Sequence, residues 1–152
     1  NVVFQTDEFV LTCRLPEGNF PNYKAVIPKK NDKKMVIDRL HLKSSVDRVS
    51  ICSDKQTHQV VLSITSEKLK VESQDLDFSK RGEDSLACVF NEPEFRIGFN
   101  AKLFVQMLEV IESNDITIEK SEPIRGAIIT PVESITPDQS MKMLIMPVQI
   151  SN

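Results

Sequence analysis

Chemistry-bearing residues are sparse in this chain: two histidines and three cysteines in 152 residues. Cys13, Cys52 and Cys88 lie far apart, with no paired spacing. An odd, dispersed set argues against a disulfide framework or a zinc site and fits reduced, buried thiols in a cytosolic protein. An extracellular β-rich interaction module would be expected to pair its cysteines. His41 and His58 have no neighbours resembling a nucleophile turn, so Cys/His catalysis finds no support. There is no metal-spaced, phosphate-loop or paired-carboxylate motif, and none of the residues calls for a cofactor or a metal. No apolar run reaches the length of a membrane span, and no internal repeat is evident. The opening "NVVFQTDEFV" has neither an initiator methionine nor a basic-then-apolar leader. It reads as the middle of a longer protein, so the chain is expected to be a fragment.

What is present suits a folded domain: 40% hydrophobic and 27% charged residues, against the composition of disorder. The net charge of −3 opposes a broad basic face for nucleic acid. Charge is unevenly spread, however. From Asp38 to Lys55, Arg39, Lys43, Arg48 and Lys55 outnumber Asp38, Asp47 and Asp54 by one. From Glu72 to Glu94, seven carboxylates face only Lys80 and Arg81, a sum of −5.

Residues 2–6 and 9–15 read as a strand pair. The following "PEGNFPNYKAVIPKKNDKK" holds three prolines, which interrupt helix and central strand alike. Its Phe20, Tyr23, Val26 and Ile27 suggest a linker held against a surface, with a domain boundary between Pro28 and Lys34. "IDRLHLKSSVDRVSICSD" is a predicted first helix with Leu42, Val46 and Val49 as its apolar stripe. "HQVVLSITSEKLKVESQ" alternates as a hairpin, turning at Ser66-Glu67. "SLACVF" and "EFRIGF" are shorter strands. "NAKLFVQMLEVIESND" is a second helix, capped by Asn100, with Leu103, Phe104, Met107, Leu108 and Ile111 as the buried stripe and Asn114 as its stop. "DITIEK", "IRGAIIT" and "MKMLIMPVQ" follow as strands. Short connections predict an α+β domain with two helices packed on one side of antiparallel sheet. The last strand is odd: Pro147 cannot donate a ladder hydrogen bond, so a peptide-accepting edge is one reading and ordinary core packing the other.

Five segments in order, "GNFPNYKAVIP", "RVSICSDK", "FRIGFNAKLFVQML", "IITPV" and "MLIMPVQI", resemble the bacterial β sliding clamp, the processivity subunit of the replicative polymerase. The resemblance covers nearly the whole chain. It implies that residues 1–28 are the last hairpin of a middle clamp domain plus connector, and 29–152 the third clamp domain. It further implies a non-enzymatic, cytoplasmic DNA-replication factor with three domains per protomer, closing head to tail as a two-protomer ring around duplex DNA. DNA is then held topologically, without base readout. The polymerase subunit, clamp loader and repair clients would dock through short linear motifs.

Three sets of residues follow from the resemblance. Pro21, Val26, Leu103, Gly126, Leu144, Met146, Pro147, Val148, Gln149 and Ile150 would line the client-peptide pocket, where methionine and proline make an adaptable apolar wall. Arg39, Lys43 and Arg48 on the first helix, with Asn100 and Lys102 at the start of the second, are the DNA-facing candidates, helped by free amides at a helix N-terminus. Ile51 and Cys52, with Leu76 and Phe78, map to the ring interface. The rest of that interface and of the pocket would lie on absent domains, so the fragment is expected to be mainly monomeric and to bind peptide weakly. A generic β-rich interaction domain without a DNA role is the alternative.

Overall fold

Val2–Gln5 (β1) and Val10–Cys13 (β2) pair antiparallel, in register from Val2↔Cys13 to Gln5↔Val10. The computed structural model describes residues 1–28, 30–122, 125–133 and 139–150. Thr6 shapes the hairpin turn, its hydroxyl accepting the Phe9 amide at 3.2 Å. The connector departs from expectation. Phe20 is 86% exposed, and Pro21, Tyr23 and Val26 are exposed as well. Only Ile27 and Pro28 are half-buried. One helical turn, Tyr23–Val26 (α1), forms there, and the Phe20 and Tyr23 rings meet edge to face at 6.3 Å. Phe20 and Tyr23 thus meet each other, and with Val26 they stay exposed rather than buried against a surface within the chain.

The remaining elements are Lys33–Asp38 (β3), Arg39–Ser50 (α2), Gln59–Ile64 (β4), Lys68–Asp75 (β5), Lys80–Ala87 (β6), Val89–Phe90 (β7), Phe95–Asn100 (β8), Ala101–Val110 (α3), Asp115–Lys120 (β9), Ala127–Pro131 (β10) and Met143–Ile145 (β11). The strands form two antiparallel sheets, β11-β10-β9-β3-β7 and β6-β5-β4-β8. This is the expected α+β architecture, with the strands divided between two sheets. Met35, Ile118 and Ala127 of one sheet meet Leu62, Ile64, Phe95, Ile97 and Phe99 of the other around a void of only 10 Å³.

Alternation is what makes β4 and β5 half-buried strands. Val60, Leu62 and Ile64 point inward, as do Leu69 and Val71. Asp38 starts α2 by accepting the His41 amide at 2.7 Å, and Leu42, Val46 and Val49 form its buried stripe as predicted. Asn100 caps α3 by accepting from the Leu103 amide at 3.2 Å. Phe104 and Leu108 are buried, and the Phe104 ring stacks on Phe99 at 5.1 Å, fastening α3 to β8.

Three expectations are corrected. β3, the middle partner of β9 and β7, was not predicted, because its apolar Met35-Val36-Ile37 is short and flanked by charge. The predicted strand 85–90 divides at Cys88: β6 begins earlier, at Lys80, and β7 belongs to the other sheet. Helix α3 ends at Val110, where Ile111 turns extended with φ −79° and ψ 130°. Asn114 is not among the left-handed residues of the described chain, which besides Gly18 are His58 and Ser79.

Candidate functional site

The tail crosses from one sheet to the other. Leu144 and Ile145 pair with Ile128 and Ala127 of β10. Met146 and Pro147 leave that ladder, and Val148 then bridges Gly98 of β8, its amide donating to the Gly98 carbonyl at 2.9 Å. A residue without an amide hydrogen stands where the backbone changes sheets, so no ladder bond is lost. Buried Gly126 lies beneath the same stretch. A Cβ added there would come within 2.5 Å of Leu144 Cδ1 and 3.2 Å of Met146 Sδ. Met146 itself is 59% exposed. Gly126, Leu144 and Met146 are therefore in one place, with Pro147 and Val148 following directly.

Gln149 and Ile150 lie farther along. With Val148 they border an open groove of about 710 Å³ on the outer face of the four-stranded sheet, lined also by Gln59, Val61 and Arg96. Leu103, expected in the buried stripe of α3, is 56% exposed. That exposure is what a subsite role requires and a core role forbids. Pro21 and Val26 are exposed on the connector, and no described element packs extensively against it.

Most of the proposed DNA-facing side chains are already engaged. Arg39 donates from Nε to the Ser113 carbonyl at 2.8 Å and from Nη1 to that of Leu108 at 2.9 Å, so it closes the C-terminal end of α3. Lys43 sits between Asp47 at 2.9 Å and Glu109 at 3.3 Å, and these carboxylates, Asp47 foremost, raise its pKa. Arg48 pairs with Asp84 of β6 and, with the Ser85 amide, lowers the Asp84 pKa. The Asn100 amide donates to the Thr57 carbonyl at 3.0 Å while its oxygen caps α3. The Ala101 amide is taken by the His58 carbonyl at 2.8 Å, so the start of α3 offers fewer free amides than an isolated helix. Lys102 is exposed.

The end of α2 rests on β6. Gly82 makes this approach possible: a Cβ there would sit 3.2 Å from both Cys52 Cβ and the Val49 carbonyl. Buried Ser73 also donates its hydroxyl to the Val49 carbonyl. Ile51 is left 77% exposed beside a strand that has no neighbour on its outer side among the described residues. Leu76 and Phe78, in the turn before β6, are exposed too, with the amines of Lys55 and Lys80 at 5.2 and 5.4 Å from the Phe78 ring centre.

A family model described as DNA polymerase III beta subunit, C-terminal domain, matches residues 24–149. The chain belongs to the β sliding-clamp family. The Synechocystis sp. beta sliding clamp is 31% identical to it over 155 residues, covering 99% of this chain and 38% of that protein. The Escherichia coli K12 clamp is 24% identical over 150 residues, covering 99% and 40%. A sliding clamp from Bartonella birtlesii, solved bound to griselimycin, matches with a TM-score of 0.88 at 30% identity, covering 97% of this chain and 38% of that one. A Pseudomonas aeruginosa clamp with the same ligand gives 0.87 at 26% identity, covering 97% and 39%. The chain thus spans about two-fifths of the length of these relatives.

The clamp family is non-catalytic, and no helix among the described residues is long and apolar enough to cross a membrane. Sequence reasoning missed three acidic residues of this clamp domain that gather in space. Carboxylate oxygens of Asp54, Asp75 and Asp77 lie within 4.8 Å of one another. Two of them shape turns: Asp54 accepts the Thr57 and Gln56 amides, which lower its pKa, and Asp75 accepts the Phe78 amide. Gln59 was missed as well. Its amide donates to the Gln149 carbonyl at 2.8 Å, across 90 residues of chain, a separation no local pattern reveals.

Proposed function

We propose that this chain works as the third domain of a DNA-encircling processivity clamp, preceded by the last hairpin of a middle domain. Its tail docks short linear segments of the replicative polymerase, clamp loader and repair clients. The single observation that carries the reading is the convergence of Leu144 and Met146 on Gly126, next to a proline that takes the backbone out of its sheet. An apolar wall with a flexible thioether accepts several side-chain shapes. Free strand edges nearby give an extended peptide its direction. Leu103, Val148, Gln149 and Ile150 extend the wall, and Pro21 and Val26 complete it from the connector.

The paired helices face the duplex in this reading. Lys102 and the outward part of Arg48 supply local attraction, while topology supplies retention. Ile51, Cys52, Leu76 and Phe78 beside the β6 edge close the ring against a first domain contributed by a second protomer. Light scattering of the 152-residue chain by itself should therefore return mainly a monomer mass. A stable symmetrical dimer would contradict this assignment of the interface.

Griselimycin, held by two of the solved clamps, is a suitable probe of the tail. Titration into the chain should show weak, saturable binding that is lost when residues 146–152 are deleted. Gly126→Val should weaken it at least about tenfold, since the added atoms displace Leu144 and Met146. Binding indifferent to both changes would overturn the reading.

A further inference from the structure

The last described residues are held by contacts on a different sheet from the strand that delivers them. Beyond Pro147, the described tail has two polar tethers. One is the Val148 amide on the Gly98 carbonyl at 2.9 Å; the other is the Gln149 carbonyl on Gln59 Nε2 at 2.8 Å. Both receptors belong to the β4–β8 pair, where Gln59 stands opposite Asn100 and Val61 opposite Gly98.

Gly98 is the enabling residue. A Cβ there would lie 2.9 Å from the Val148 carbonyl oxygen, 3.0 Å from Gln59 Nε2 and 3.2 Å from Val148 Cγ2. Its first and closest neighbour is backbone, which cannot move aside as a side-chain tip can. Any side chain at 98 would therefore push the tail off β8 and separate Gln59 from Gln149. The region of Asn100 that begins α3 is fixed independently, by Thr57 and His58, so the receiving surface stays in place when the tail is free.

We propose that Gln59 and Gly98 form a latch that positions the carboxy-terminal tail for ligand binding, making them positioning residues for the pocket although neither belongs to its apolar wall. This rests on the reading of the tail as a client-docking site. Without the latch, Val148 and Gln149 are free beyond Pro147, and a ligand must order them as it binds. That ordering reduces affinity. The latch also couples the two sheets, because β11 belongs to one and β8 to the other.

Gln59→Met tests the latch, since methionine nearly preserves side-chain size and removes the amide donor. Hydrogen exchange at the Val148 amide should quicken by about three- to tenfold, the range of one exposed hydrogen bond. The griselimycin dissociation constant should rise by a similar factor, while the thermal midpoint stays near that of the unaltered chain. Gly98→Ala should increase both effects. In a chain lacking residues 148–152, Gln59→Met should leave griselimycin affinity unchanged, as the tethered group is gone.

Unaltered Val148 exchange in Gln59→Met and Gly98→Ala would overturn the latch. So would quickened exchange with unchanged affinity, because the tail position would then be irrelevant to the ligand. If the unaltered chain does not bind griselimycin, the docking reading itself fails, and with it the latch's role for a ligand. The exchange measurement still reports whether the tether exists.

Discussion

Replacing Phe104 with alanine should lower the stability of the clamp domain by about 3–5 kcal/mol, the usual range for removing a buried aromatic ring. Phe104 is fully buried and stacks on Phe99, also fully buried, with the ring planes 27° apart. The first helical turn around it is held by two caps, Asn100 on the Leu103 amide and His58 on the Ala101 amide. The backbone is therefore poorly able to collapse into the space left behind. A cavity that cannot close costs more than the lost transfer energy alone. Against a typical total of about 5–15 kcal/mol, the change is large. Urea unfolding followed by circular dichroism would read it as a lower midpoint at unchanged slope. A loss under about 1 kcal/mol would mean that the stacked pair does not carry the junction of α3 and β8.

The second large effect depends on pH. Lys120 is buried in β9, and burial lowers its pKa from the ordinary 10.5 to about 8. Its amine donates to the Arg125 carbonyl, and its cross-strand neighbour is Lys33, whose amine lies 4.8 Å from the centre of the Phe95 ring. No carboxylate pairs with Lys120 among the described residues. Between about pH 8 and 10.5 the unfolded chain therefore holds a proton that the folded chain has released. Stability must rise with pH across that window, by at most about 1.4 kcal/mol per pH unit for one proton. The penalty for burying the charged amine is complete below about pH 8 and is relieved as pH rises to 10.5. Below about pH 8, both states are protonated and Lys120 adds no slope.

Lys120→Met should abolish this component and unfold at higher urea than the unaltered chain at pH 7. Comparing the two chains at pH 7, 8, 9 and 10 isolates the Lys120 component, because every other group is common to both. Identical slopes in the two chains would refute the assignment. The lysine is also connected to the proposed docking region, because Arg125 directly precedes Gly126, which lies beneath Leu144 and Met146.

The elements legible in the sequence were those whose pattern is local. The Leu42-Val46-Val49 stripe, the Asn100 cap and the alternation through β4 and β5 each express a helical or strand period over a few residues. β3 was not legible, since a brief apolar run among lysines becomes a central strand only when β9 and β7 lie on either side. The division at Cys88 has the same origin: two adjacent segments pair with different sheets. Leu103 fits the helical period but lies just outside the buried arc, so periodicity assigned it to the core and the fold exposes it.

Residue order alone determined the α+β class, the two amphipathic helices and the family, because hydrophobic period, caps and segment spacing are carried along the chain. Tertiary structure decided which charged side chains remain available. Arg39, Lys43 and Arg48 all look like free cations in one dimension, yet each meets a carbonyl or carboxylate brought from elsewhere. It also decided how the tail is held, since Gln59 and Gln149 become partners only when two sheets place them 2.8 Å apart. Hydrogen bonds and ion pairs act over a few ångströms in space, and sequence separation carries no information about that distance.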